Sequence, residues 1–373
     1  MTVGSMAVAE ERPAVQSGDT GWEGLAEKAA DVSELARLST VRPAAADLAV
    51  DLMSALSLTD SPELVPPYPS LPRPTSFPPW TALDLPAPSS IMRGELGDNF
   101  LRGWPTPVNG RRVQLLSNGM IVKRGKKGVF VDEGDMAELA RCAAPEVVPK
   151  AHGFYEIAGI GFLFTEFVEG VELDKAWDNL DAEQRSALLA NISSTVSSFH
   201  AISLPHIGSS VGAPPRSFEF ITPDSLPLSG ALTSTAAFLE FVKAEWERKV
   251  AAGKKDRWQD CPDFLTILSD ESFLACTSFT LQHCDLAERN VLVDPSSGAL
   301  LAIVDWGEAA VLPPGFEYAA LLFEKAQIDW HSWRGDNGGG KAMCERLMAD
   351  ASDEERRLGE LHHGWLKAFL LKQ

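Results

Sequence analysis

The stretch Leu281-Gln-His283-Cys-Asp285-Leu-Ala-Glu-Arg-Asn290-Val-Leu-Val-Asp294, followed by Ile303-Val-Asp305-Trp-Gly307, decides how this chain is read. Asp285 and Asn290 stand five positions apart. A carboxylate at such a place can accept a proton from an attacking hydroxyl, and an amide oxygen can ligate a divalent cation without adding charge. Two short apolar runs, Val291 to Asp294 and Leu300 to Val304, flank Pro295-Ser-Ser-Gly298. A hairpin centred on Ser296 and Ser297 pairs position 290 with about 303 and leaves Asp305 one same-face step further on. Diagonal cross-strand neighbours lie about 7–8 Å apart. Asn290 and Asp305 are therefore expected to ligate metal ions between them, with Asp285 as the neighbouring base. His283 is expected to hydrogen-bond the loop backbone.

Upstream, the pattern is that of a small sheet. Arg112 to Leu116 and Met120 to Arg124 flank Ser117-Asn-Gly119, and Asn-Gly between apolar runs is the strongest short hairpin signal. A helix is expected from about Asp132 to Cys142, ended by Pro145, then strands over Val147 to Tyr155 and Ile160 to Phe167. Lys123 sits mid-strand, where an inward lysine needs an anion. Glu133, early in the helix, is the expected partner that holds it toward phosphate oxygens, and Glu138 competes for it. Glu166-Phe-Val168 leads out of the sheet, and backbone groups at Glu166 and Val168 are candidates for an adenine edge. The candidate phosphate loop is Thr106-Pro-Val-Asn-Gly110.

Downstream of Gly170 the chain reads as mostly helical. Asp181 and Gln184 form a capping-box pattern ahead of Leu188, Leu189, Ile192, Val196 and Phe199. A Gly- and Pro-rich loop from Leu204 to Gly230 precedes a helix marked by Phe238 to Val250. A strand is expected at Ser278 to Leu281, and the tail from Ala342 to Leu371 reads as helical. His362 and His363 are expected at the surface.

Composition narrows the function. Lys and Arg total 33 against 52 Asp and Glu, a net charge of −19 over 373 residues. That balance argues against nucleic acid as a partner, because phosphate recognition needs a basic face. No run approaches the roughly 18 consecutive apolar residues of a membrane span, and the first residues lack the basic flank and apolar stretch of a secretory signal. Five scattered cysteines, Cys142, Cys261, Cys276, Cys284 and Cys344, form no CxxC pair and fit reduced thiols in a cytoplasmic protein. The first residues read differently again. Gly21 to Leu38 and Ala44 to Leu56 have helical spacing, and Pro62 to Pro88 holds 10 of the 25 prolines, so that stretch reads as an extended strap.

Together these motifs resemble the aminoglycoside phosphotransferase family, which has a protein-kinase-like fold, and within it most nearly the fungal branch. The resemblance rests on the two segments quoted first, on Val122-Lys123, Glu133 with Met136, Val148-Pro-Lys150, Thr165-Glu-Phe-Val-Glu-Gly170, Trp177, Phe199-His-Ala-Ile202, Ile207-Gly208 and Phe316-Glu-Tyr318. It covers roughly positions 111 to 325. It implies an α+β, bilobal fold: an N-terminal extension over 1–95, a sheet-rich N-lobe over 96–168 and a mainly helical C-lobe over 169–373. It further implies an ATP- and Mg²⁺-dependent phosphotransferase acting on a small-molecule hydroxyl. In that reading Asp285 is the catalytic base, Asn290 and Asp305 ligate Mg²⁺, and Lys123 contacts ATP phosphates.

Three departures qualify the match. Cys284 stands where a small glycine is more usual, no GxGxxG precedes Lys123, and no Ala-Pro-Glu segment follows Trp306-Gly307. Trp306-Gly307 also stands where protein kinases carry Phe-Gly, and this feature together with the missing Ala-Pro-Glu segment tilts away from a protein substrate. Glu308, Glu317 and Asp329 are candidates to line a pocket for a cationic acceptor. The alternatives are an amino alcohol such as choline or ethanolamine as acceptor, a protein as acceptor, or a nucleotide- or partner-binding protein without turnover.

Overall fold

The structure is a computed structural model. It describes residues 100–102, 112–116, 119–126, 130–157, 160–210, 212, 214–215, 231–253, 257–331 and 338–370. The expected extension, the Pro-rich strap, the candidate phosphate loop and the Ser117-Asn118 turn lie outside these residues. So does most of the 204–230 loop.

The sheet-rich part holds β1 (Phe100–Arg102), β2 (Arg112–Leu115), β3 (Met120–Lys126), helix α1 (Phe130–Arg141), β4 (Ala151–Ile157) and β5 (Ile160–Glu166). The strands form one antiparallel sheet in the order β1-β2-β3-β5-β4. Gly119 closes the β2–β3 hairpin at φ +79, a backbone state that glycine adopts without a Cβ clash. The strand expected from Val147 begins only at Ala151, because Pro145 and Pro149 punctuate a series of turns before it.

Period-two alternation gives this sheet two apolar faces with different partners. Met120 and Val122 on β3 pack with Tyr155, Phe162 and Phe164 in a small core of their own. The intervening Ile121, Lys123, Leu163 and Thr165 point the other way and line a cleft. Helix α1 belongs to the larger core: Met136, Leu139 and Ala140 join the cluster that fills the helical half. The sheet core and the helical core are separate, which makes the molecule bilobal.

The helical half begins at β6 (Val171–Glu172) and α2 (Leu173–Trp177). At the crossing between lobes, a Cβ on Gly170 would stand 3.0 Å from Leu301 Cδ1 and 3.3 Å from Val293 O, so glycine lets the two chains approach. Helix α3 (Ala182–His200) starts with the expected capping box. Asp181 Oδ1 accepts from the N–H groups of Glu183 and Gln184, each at 2.9 Å, and Gln184 Oε1 accepts from Asp181 N at 2.9 Å. Strand β7 (Ser203–Leu204) and helices α4 (Thr235–Ala251), α5 (Pro262–Ile267) and α6 (Glu271–Leu274) follow.

The opening motif lies across the end of β8 (Phe279–Gln282), β9 (Val291–Val293) and the end of β10 (Leu300–Ile303), and β11 (Ala310–Leu312) follows it. Beyond them lies α7 (Phe316–His331). The tail expected as helical is two helices, α8 (Gly339–Asp350) and α9 (Asp353–Leu370). A second capping box restarts the chain: Ser352 N donates to Glu355 Oε2 at 2.8 Å and Glu355 N to Ser352 Oγ at 3.2 Å. Among the described residues no helix is long and apolar enough to cross a membrane.

One expectation fails in the core. His362 is fully buried, not at the surface. It stacks on Phe316 with ring centroids 4.0 Å apart, and its Nδ1 accepts from Trp365 Nε1 at 3.1 Å. An eighteen-residue helix with Leu358, Trp365, Leu366 and Phe369 on its buried face carries position 362 inward with them. Burial pushes the His362 pKa down to about 3 from 6.5. The unfolded ring takes up a proton below about 6.5 while the folded ring does not, so stability present above that value is lost as pH falls toward 3. We expect thermal denaturation between pH 7.5 and 5 to show this acid loss, at most about 1.4 kcal/mol per pH unit. His362→Phe should flatten the slope while lowering stability at pH 7 by about 1–3 kcal/mol, because the Trp365 N–H loses its acceptor. An unchanged slope in the variant would refute the assignment.

Candidate active site

A cleft of about 500 Å³ opens between the sheet and the helical half. Ile121, Ala137, Leu163, Leu292 and Val304 give it apolar walls, and Lys123, Glu133, Asp305 and Arg289 supply charge. Glu166, Phe167 and Val168 line it where the chain leaves β5. The Glu166 N–H donates to Lys150 O at 2.9 Å, so that donor is already engaged.

Lys123 and Glu133 meet as the sequence suggested. The ammonium hydrogen-bonds the Glu133 carboxylate and also donates to Asp305 Oδ1 at 2.9 Å. Register explains its direction: Lys123 pairs with Leu163 across β3–β5, and both face the cleft. Glu138 is not a competitor, because its Oε1 accepts the Ala151 N–H at 2.7 Å at the start of β4. Burial works against the Lys123 charge, but the Asp305 and Glu133 carboxylates outweigh it and hold the pKa above the ordinary lysine range.

The β9–β10 hairpin forms, with a register one step from the expected one. Val291 pairs with Ile303, and Val304 N donates to Asn290 O at 2.9 Å, so position 290 faces 304. A register shift between Leu300 and Ala302 supplies the extra residue. Asp305 therefore reaches the cleft through its own backbone, at φ +68 in the left-handed region. It does not get there by strand pleat.

The loop before β9 holds Asp285 from several sides. Asn290 Nδ2 donates to Asp285 O at 2.8 Å and to its Oδ2 at 3.0 Å. His283 has the backbone role expected of it. Its Nδ1 accepts the Asp285 N–H at 3.3 Å, which leaves Nε2 as the donor to Val304 O at 3.1 Å. The ring also packs edge-on against Trp306, with centroids 4.7 Å apart. Cys284, at φ +61, is the other non-glycine residue in the left-handed region among the described residues.

Two features of the site escaped the sequence reading. Glu317 does not serve as a side chain beside the cleft. It is buried under the loop, where Oε2 accepts the His283 N–H at 2.5 Å and Oε1 the Cys284 N–H at 3.2 Å. Burial opposes its ionisation, but neighbouring His200 and His283 and the donated N–H groups hold its pKa below the usual value. The second feature is Arg289, whose Nη2 donates to Asp285 Oδ1 at 2.6 Å and whose Nη1 reaches Glu324 Oε1 at 3.4 Å. Burial, with the Glu288 and Asp285 charges and against Arg289, pushes the Glu324 pKa up to about 7. An arginine directly before Asn290 was the available signal. The side chain of Asp329 lies outside the described residues.

The donor set suits a magnesium ion carried by a nucleotide. Asn290 is fully buried, and its Oδ1 has no hydrogen-bond partner among the described residues, although such an acceptor ordinarily finds one. Among the same residues no group of three His, Cys, Asp or Glu could hold a metal. Magnesium typically takes one or two protein ligands, with phosphates and water completing the shell, and Asn290 Oδ1 with Asp305 fits that pattern.

The chain matches the model of the phosphotransferase enzyme family, APH, over residues 108–358. It belongs to this family. Its α+β, bilobal, kinase-like fold agrees with that membership, and family members are phosphotransferases with hydroxyl acceptors. No curated protein matches it in sequence. Similar solved structures include the streptomycin–ATP ternary complex of APH(2″)-IIa, 15% identical, covering 75% of this chain and 88% of that one, TM-score 0.46. Another is an aminoglycoside-3′-phosphotransferase of type VIII, 18% identical, covering 75% and 97%, TM-score 0.44. A third is APH(3″)-Id from Streptomyces rimosus ATCC10970, 18% identical, covering 76% and 97%, TM-score 0.40.

The lysine trio generates a stability prediction for the phosphotransferase. Lys123→Met leaves the buried Glu133 carboxylate without its counter-ion and should cost about 3 kcal/mol in chemical denaturation. Adding Glu133→Gln should recover a large part of that loss. Simple additivity of the two variants would show that the pair does not interact as described.

Proposed function

We propose that this phosphotransferase moves the γ-phosphoryl group of ATP to a hydroxyl of a small molecule, with Mg²⁺. The observation that carries the reading is that Lys123, Glu133 and Asp305 meet at one cleft that Arg289 also lines, while Arg289 holds Asp285 in the adjoining Asp285–Asn290 loop. Asp285 orients the acceptor hydroxyl and takes its proton. Lys123, held by Glu133, neutralises phosphate oxygens as charge shifts during transfer. Backbone groups at Glu166 and Val168 meet the adenine edge, and the apolar walls around Ile121 and Leu163 exclude water from its ring. Asn290 and Asp305 would hold magnesium, which supplies charge neutralisation when bound. Most of the rate then comes from positioning and electrostatics, with no covalent enzyme intermediate.

The charge around Asp285 favours a cationic acceptor. Glu288 and Glu324 join Asp285 around the single guanidinium of Arg289, so negative charge exceeds positive at the place where an acceptor would lie. An ammonium group on the acceptor would balance it.

Thermal shift with Mg-ATP is the first test. We expect the wild-type protein to be stabilised by about 2–3 kcal/mol at 100 times Kd, and Asp305→Ala to lose the magnesium-dependent part. No shift for the wild type would end the nucleotide-site reading. A library of hydroxyl compounds, screened with Mg-ATP, then separates turnover from binding. Asp285→Asn should lower turnover by about 10²–10⁴-fold while nucleotide binding persists. Binding without any phosphorylated product would favour a nucleotide-binding protein without turnover.

A further inference from the structure

We propose that Arg289 is a positioning residue for Asp285, anchored in turn by Glu324 of α7, so that a guanidinium bridge from the helical lobe sets the orientation of the acceptor-side carboxylate. The inference rests on the proposed role of Asp285. Arg289 lies on a short 3-10 turn, Glu288–Asn290, one residue before Asn290. Its Nη2 donates to Asp285 Oδ1 at 2.6 Å, while Asn290 Nδ2 donates to Oδ2 at 3.0 Å. One donor on each oxygen fixes the plane of the carboxylate. A carboxylate oxygen has a second lone pair, so a hydroxyl can still be met while the group is held.

The far end of the bridge is what makes it directional. Glu324 Oε1 receives Nη1 at 3.4 Å, and the Glu324 side chain is 10% exposed against 41% for Arg289. An exposed ion pair alone contributes little to stability. Here the guanidinium also reaches, at 3.4 Å, a buried acid on a long helix, which narrows its range of positions. A planar fork can hold two carboxylates in fixed relation, which a single ammonium does less well. Glu324 for its part is a buried acid whose pKa burial and the neighbouring acids raise to about 7, and Arg289 is the cation that favours its charged form. The bridge therefore links α7 to the loop that carries Asp285, independently of the His283 and Glu317 contacts that hold the same loop from beneath.

The test uses the full chain and phosphoryl transfer from Mg-ATP to water, measured as phosphate release. Arg289→Gln should lower kcat about 10–100-fold, the scale of a lost orienting contact, with KM for Mg-ATP within about two-fold and an unchanged circular-dichroism spectrum. Arg289→Lys should recover part of kcat, and Glu324→Gln should show a smaller loss in the same direction. A kcat within two-fold of wild type in Arg289→Gln overturns the proposal, as does a raised KM at constant kcat, which would make Arg289 a nucleotide contact. Unchanged kcat in Glu324→Gln overturns the anchoring role. If the wild type releases no phosphate, water is no acceptor for it, and the proposed function is judged by the Mg-ATP thermal shift and the hydroxyl library. The bridge is then read from the Asn290 side-chain amide resonance in the unliganded protein. It should move in Arg289→Gln and less in Glu324→Gln, and an unmoved resonance overturns the inference.

Discussion

The ammonium of Lys123 between Glu133 and Asp305 is the interaction on which the site depends. It joins a strand of the small sheet to the first turn of α1, ten residues on, and to the turn after β10, 182 residues on. Two carboxylates brought this close would repel one another without a cation. Each partner is set by a different packing rule. Strand alternation turns Lys123 away from the small core, and α1 is fixed because its apolar residues sit in the larger core. Asp305 is delivered by a left-handed backbone state. The charge closes an arrangement that burial has already approximated.

The loop around Asp285 is held by hydrogen bonds between side chains and its backbone, over the buried Cys284 and Leu286. Cys284 and Asp305, the two non-glycine residues in the left-handed region, bracket the chemistry. Such a conformation costs on the order of 1–2 kcal/mol for an L-residue and persists where neighbours over-determine it. Here Glu317 accepts the N–H groups of His283 and Cys284, and the His283 ring ties Asp285 N to Val304 O. Those contacts couple the loop to the turn after β10 that carries Asp305. The carboxylate and the amide thus share one frame.

Much of this was legible from residue patterns. The Asp285–Asn290 spacing, the hairpin signals at Gly119 and Ser296-Ser297, and the capping box at Asp181 are local, and local rules read them well. The Ser352-to-Glu355 box was equally local and marks the break between α8 and α9, although apolar periodicity ran straight through it. The one-residue register shift was not legible, because a bulge depends on how two strands fit and not on either alone. His362 was readable from the helical period, four residues after Leu358 and three and four before Trp365 and Leu366, but its neighbour His363 drew the reading toward the surface.

By itself the sequence determined the class of chemistry and the order of elements: two carboxylates, an amide and a lysine, with a sheet before a helical half. Those follow from residue type and short-range periodicity. Only the tertiary structure decided which acid meets Lys123, how Asp305 reaches the cleft, that Glu317 supports the loop from below, and that Arg289 bridges Asp285 to Glu324. Each of those pairings spans many residues or depends on backbone torsion. Contacts of that kind are chosen by how elements distant in the chain pack together, and local patterns do not encode packing.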